Sequence, residues 1–150
     1  MELQTSAPNN ERPGRVLVVD DIAVVRKPIC MALAHAGYEV VEAESGEQAI
    51  KLAQDVQNPL AVDVVICDIR MSPGDGVETI AFFRRQYPMV PVVALTAYLD
   101  VELGVSLMRR GVVDFLIKPV LQEELRMVVK RAVEQRVNCT SPVCEERQVS

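Results

Sequence analysis

The run Arg15-Val16-Leu17-Val18-Val19-Asp20-Asp21, "RVLVVDD", decides the fold. Four apolar residues lead straight into two adjacent carboxylates. An apolar, β-branched run of this length reads as a strand buried on both faces. Two like charges at the mouth of a core repel each other and lose hydration, so a cationic group should compensate them. Outward from this run, similar ones recur as "YEVVEA", "VDVVICD", "PVVALT" and "VVDFLIK", beginning near residues 15, 38, 62, 91 and 112. The interval of roughly 20 to 30 residues holds one strand and one crossover helix, the least that joins parallel strands.

The segments between the runs carry helix signals. Ser45-x-x-Gln48 forms a capping box before Ala49, Ala53 and Val56, which share a helical face. Leu121, Leu125, Val128 and Ala132 make a similar stripe in the last helix. Gly37 and Gly111 stand where left-handed glycines end helices. Pro28 falls inside the first helical pattern and is expected to kink or shorten it. The expectation is a doubly wound α/β domain with five parallel strands and five helices over residues 15–137. It is flanked by a flexible segment 1–14 and a polar tail 138–150.

Composition narrows the class. The chain has 150 residues, enough for one domain with a substantial core, and 49% of them are apolar, which excludes a disordered chain. A formal charge of −5 without any Lys/Arg-rich block argues against direct nucleic-acid binding. No apolar run approaches the roughly 18 residues of a membrane span, and "MELQTSAPNNER" does not read as a secretion signal. Cys30 and Cys67 sit in apolar segments, while Cys139 and Cys144 alone do not complete a zinc site. A reduced, cytoplasmic protein is the expectation.

Parallel strands all end on one sheet edge, where sites collect. The residues at or just past the strand ends are Asp20 and Asp21, Asp68, Thr96 and Lys118; the second strand, ending in "EAES", offers nothing chemically unusual. Singly, each has a bland role: a cap or turn for an Asp, a capping hydroxyl for Thr96, a snorkelling amine for Lys118. Together they form a constellation that chance would not assemble. Three carboxylates raise one another's pKa unless a positive charge intervenes, and a hard divalent cation such as Mg²⁺ suits an all-oxygen set. One metal and Lys118 leave room for a phosphoryl group, which a carboxylate can attack to give an acyl phosphate.

"VLVVDD", "VICDIRM…DG", "VVALTA" and "FLIKP", in this order and at these intervals, resemble the receiver domain of two-component response regulators over roughly residues 14 to 136. The resemblance implies a flavodoxin-like sheet of order 2-1-3-4-5. It implies that Asp68 accepts the phosphoryl group. Asp21 binds Mg²⁺ directly, Asp20 acts mainly through water, and the Arg70 backbone carbonyl completes the protein ligands. Thr96 and Lys118 contact the phosphoryl group, Phe115 is the switch aromatic that fills the space Thr96 vacates, and the bond before Pro119 is often cis. Arg70 and Tyr98, each two residues beyond a site residue, tune the lifetime of the acyl phosphate. The readout is a population shift of the face made by helix 4, strand 5 and helix 5, which also offers a homodimer contact.

Partners follow from the same resemblance: a sensor histidine kinase or histidine phosphotransfer protein as donor, and a downstream target protein or output domain. The only histidine, His35, lies far from every strand end and is expected to have a structural or solvent role. Two other readings stay open. One is a Mg²⁺-dependent phosphohydrolase with an aspartyl nucleophile, although the family's D-x-D pattern is missing. The other is a receiver-like docking module that is not phosphorylated, to which the altered loop Ser72-Pro73-Gly74 gives room. Gly104 weakens helix 4 by up to about 1 kcal/mol relative to alanine. That suits an adjustable element, although close packing is the commoner reason for a helical glycine. "NCTSPVCEERQVS" after the last helix is too short for an output domain, so a stand-alone receiver is the expectation, with a fragment of a longer regulator as the alternative.

Overall fold

A computed structural model of the protein describes residues 14–55, 61–70 and 75–138. The elements alternate as β1 (Arg15–Val19), α1 (Ala23–His35), β2 (Glu39–Ala43), α2 (Gly46–Gln54), β3 (Val64–Asp68), α3 (Asp75–Gln86), β4 (Val92–Thr96), α4 (Val101–Arg109), β5 (Asp114–Ile117) and α5 (Gln122–Asn138). The sheet is parallel throughout and runs β2-β1-β3-β4-β5. That order makes β1 and β3 neighbours, with Val19 opposite Cys67, so Asp20 and Asp68 follow at the same edge.

Strand alternation sends side chains to two separate cores. Leu17, Val19, Val65, Cys67, Val92 and Ala94 pack with residues of α2, α3 and α4, including Ala49, Ala53, Ile80, Phe83 and Leu107. Val16, Val18, Val64, Ile66, Val93 and Leu95 face α1 and α5 through Ile29, Leu33, Leu125 and Val129. The continuous apolarity of β1, β3 and β4 is thus explained: each is covered on both faces.

Local signals match closely. Ser45 accepts the Gln48 amide at 3.1 Å, and the Gln48 side chain in turn accepts the Glu44 amide. Gly37 and Gly111 hold φ of 100° and 96° at the ends of α1 and α4. The Lys118–Pro119 bond is cis. No described helix is long and apolar enough to cross a membrane.

Three expectations need correction. Pro28 lies inside α1 without cutting it short, the helix running over 13 residues. Its missing donor would have served Val24, an exposed residue whose carbonyl water can satisfy. Leu121 precedes α5 and is exposed, although its carbonyl accepts the Leu125 amide that starts the helix; the buried stripe is Leu125, Val128, Val129 and Ala132. At Gly104 a Cβ would meet only Leu99 Cδ1 at 3.8 Å, an ordinary contact, so packing does not demand glycine there. Segments 1–13 and 139–150, with Cys139 and Cys144, lie outside the described residues, as do Val56 and the Ser72-Pro73-Gly74 loop.

Candidate functional site

The site is the sheet edge where β1, β3, β4 and β5 end. Asp20 follows β1 and is fully buried; its Oδ1 accepts the Ile22 amide at 2.9 Å, which helps to open α1. Asp68 closes β3, is 1% exposed, and receives the Arg70 amide on Oδ1 at 2.9 Å. Lys118, just past β5, reaches back across the edge. Its Nζ donates to Asp68 Oδ2 at 2.9 Å and lies 3.5 Å from Asp20 Oδ2. Asp21 is exposed, yet one oxygen from each of Asp20, Asp21 and Asp68 falls within 4.8 Å of the others. Of the five residues expected to converge, Asp20, Asp21, Asp68 and Lys118 are in mutual reach, whereas Thr96 shares the edge without bonding to them.

Thr96, also fully buried, ends β4, and its hydroxyl is engaged within its own loop. It donates to the Tyr98 carbonyl at 2.9 Å and accepts the Tyr98 amide at 3.3 Å. The Tyr98 side chain is exposed, as is Arg70. Phe115 is half-buried on β5 against the core shared by α2, α3 and α4. Beside Lys118 an apolar groove of about 440 Å³ opens between α1 and the start of α5, lined by Val24, Pro28, Ile29, Pro119 and Leu125.

Electrostatics make the edge receptive to a cation. Burial pushes the Asp20 carboxyl up; the Ile22 amide opposes this, the Asp68 charge adds to it and Lys118 again opposes it, with a net rise. For Lys118, burial lowers the ammonium's pKa, but the hydrogen bond and charge of Asp68, joined by Asp20, outweigh burial and raise it. Lys118 alone cannot balance three carboxylates. The fit to a hard divalent cation rests on one atom in particular. Asp20 Oδ2 is buried and has no hydrogen-bond partner, the condition of a carboxylate oxygen meant for a metal or its water. The donor set is all oxygen, as Mg²⁺ prefers.

Gly76, in the first turn of α3, sits against the backbone that follows Asp68. A Cβ there would collide with the Asp68 carbonyl and lie 2.5 Å from Ile69 Cα. The glycine lets α3 close over the end of β3, which sets the path of the chain through Arg70.

Sequence reasoning missed Arg26 and Glu42. Arg26 is 4% exposed in α1; its Nη1 donates to the Asp20 backbone carbonyl and its Nε to Glu42 on β2, each at 2.7 Å. Glu42 also takes Lys27 at 3.0 Å. A signal was present: Arg26 lies on the stripe of Ile22, Ile29 and Leu33, where only an internally paired cation belongs. The second strand therefore does contribute, from behind the site.

Comparison with known proteins follows the same lines. Residues 16–130 match the response regulator receiver domain family. The regulatory protein AtoC of Escherichia coli is 38% identical over 121 residues, covering 81% of this chain and 25% of that protein. The transcriptional regulatory protein GlrR of Escherichia coli is 35% identical over 138 residues, covering 92% of this chain and 29% of that protein. The chain thus spans between a quarter and a third of the length of these relatives. Chemotaxis protein CheY4 of Vibrio cholerae superposes with a TM-score of 0.74 at 31% identity, over 80% of this chain and 98% of that one. The receiver domain of NtrX from Brucella abortus does so with a TM-score of 0.72 at 31% identity, over 79% and 98%.

Proposed function

This chain belongs to the response regulator receiver domain family, and on that premise we propose that it is a phosphoryl-accepting switch with Asp68 as acceptor. The observation that carries the reading is the convergence of Asp20, Asp21 and Asp68 within 4.8 Å, with Lys118 Nζ on Asp68 Oδ2. Asp21, Asp68 and the Arg70 carbonyl would hold Mg²⁺ directly, and Asp20 would hold it through water. When bound, Mg²⁺ neutralises carboxylate charge and draws the phosphoryl oxygens into place.

The chain's own residues do the rest. Arg70 and Lys118 fix the two oxygens of Asp68. A carboxylate oxygen forms the new O–P bond as the P–N bond to the donor imidazole breaks, its electron pair remaining on nitrogen. Lys118 then balances a phosphoryl oxygen in place of the carboxylate it held. Thr96 leaves Tyr98 to hydrogen-bond the phosphoryl group, and half-buried Phe115 turns into the space it vacates. The phosphoryl group's charge of about −1.5 to −2 replaces the carboxylate's −1, and the excess negative charge biases the face of α4, β5 and α5. Arg70 and Tyr98, exposed beside the site, set how readily water reaches the acyl phosphate.

The donor is a sensor histidine kinase or a histidine phosphotransfer protein, acting in the cytoplasm. The switched face acts on a target protein, on an output domain or on a second copy of the chain. The short span against its relatives suits an output domain in the whole protein. In this role the chain is a signalling domain, not an enzyme that turns over an external substrate. Incubation with Mg²⁺ and acetyl phosphate should place a labile phosphate on Asp68 by mass spectrometry, and Asp68→Asn should abolish it. Multiple turnover of added phosphoesters would favour a hydrolase instead. Bound Mg²⁺ with no modification by any cognate kinase would favour a docking module.

A further inference from the structure

Asp20 has four polar groups, and three are committed. Its amide donates to the Ala43 carbonyl of β2 at 3.1 Å, its Oδ1 accepts the Ile22 amide, and its carbonyl accepts Arg26 Nη1. Only Oδ2 remains without a hydrogen bond. The carbonyl of Asp20 shares one rigid plane with the amide of Asp21. Whatever fixes that carbonyl therefore fixes the direction from which Asp21 leaves β1. Asp21 itself is exposed, so its position depends on this peptide more than on packing.

Arg26 is suited to the task. Its guanidinium is a planar fork whose second arm is held by Glu42, so the arm reaching Asp20 is already oriented. Burial to 4% exposure keeps water from competing for the carbonyl. Glu42 is in turn held by Lys27. A chain of contacts thus runs from β2 through α1 to the peptide between the two site carboxylates.

We propose that Arg26 is a positioning residue for the metal site: through the Asp20 carbonyl it aims Asp21 at Mg²⁺, while Glu42 serves only to orient the guanidinium. This inference rests on the Mg²⁺ reading given above. A bare structural role would tie α1 to the sheet and leave cation affinity alone.

Calorimetric titration of the full chain with Mg²⁺ separates the possibilities. Arg26→Lys keeps the charge and the Glu42 partner but puts one compact ammonium where Nε and Nη1 stand apart, so the Asp20 carbonyl loses its oriented donor. Its Mg²⁺ affinity should fall about tenfold or more, the usual effect of losing a residue that orients a metal ligand. Arg26→Met should lose at least as much. Glu42→Gln, which keeps an acceptor for Nε and leaves the Asp20 bond intact, should stay within about threefold of wild type. Melting in chelator checks folding of each variant, and Arg26→Lys decides if Arg26→Met does not fold. Wild-type affinity in Arg26→Lys, or an equal loss in Glu42→Gln, would overturn the proposal. Failure of the Mg²⁺ reading looks different: wild type itself would take up no Mg²⁺, or Asp21→Asn would bind as wild type does, and either result removes this inference too.

Discussion

Asp20 and Lys118 are matched in a way that costs the metal-free protein stability. Asp20 is fully buried with one oxygen lacking a hydrogen bond, and its carboxyl is pushed up by burial and by Asp68. Lys118 relieves this only in part, from 3.5 Å, because it is closer to Asp68 at 2.9 Å. An oxygen left unsatisfied beside a cation that prefers a neighbour is an arrangement that a bound cation would relieve. Lys118→Met removes the cation that faces Asp68, the proposed acceptor, and should slow phosphoryl uptake from acetyl phosphate by about 10² to 10³, the effect of removing one donor to a developing oxyanion. The rate of phosphate incorporation at saturating Mg²⁺ measures it, and a loss under threefold would remove Lys118 from the chemistry. These residues were legible because each stands at a strand end, a position that short-range sequence fixes. For Arg26 only its place on the apolar stripe was legible; its partner Glu42 was not, since the sheet alone brings the two together.

Among the helices, α4 is held most lightly. Leu107 is its buried residue and Leu103 packs partly, whereas α1 buries Ile29, Cys30, Ala32 and Leu33 along with Arg26. Gly104 adds to this, and since a Cβ would meet only Leu99 Cδ1 at an ordinary 3.8 Å, packing does not require the glycine. Gly104→Ala should therefore stabilise the protein by up to about 1 kcal/mol and slow amide exchange within α4. Destabilisation in urea would mean that the glycine is structurally required. The α1–β2 tether offers a pH test. The Arg26 hydrogen bond, and then that of Lys27, hold the Glu42 carboxyl below its ordinary 4.5. Because the folded value is depressed, the stabilisation is present above 4.5 and lost as pH falls through the folded value. The melting midpoint of wild type should exceed that of Glu42→Gln at pH 7, and the gap should close in acid. A gap that widens in acid would show that the pair does not stabilise the fold. The element order could be read from apolar runs spaced by helix-length segments. The unbroken path of α1 through Pro28 could not, because propensity does not register that the orphaned carbonyl is open to water.

At the scale of the whole molecule, the sheet order gives β5 an exposed edge flanked by α4 on one side and α5 on the other. Val101, Val105 and Met108 of α4, Ile117 of β5 and Met127 of α5 are exposed apolar residues. Five apolar side chains on the elements that meet at this edge give a second chain apolar surface to bury. The resemblance had singled out this face, but its apolar character could not be read from the sequence. Val105 and Leu107, two positions apart in one helix, differ in exposure only because α4 turns Leu107 to the core. A single patch that meets its own copy closes a twofold dimer without further surface. The occupied site should bias α4, the helix with least to lose, toward the conformation in which two such faces match. Sedimentation at roughly 100 μM, well above a micromolar Kd, should show monomer in chelator and dimer with Mg²⁺ and beryllofluoride. Met108→Glu should abolish the dimer while changing stability by no more than about 0.5 kcal/mol, as expected of a surface substitution. A chain that stays monomeric with beryllofluoride bound would reserve the face for a different protein. A dimer that survives Met108→Glu would put the contact elsewhere.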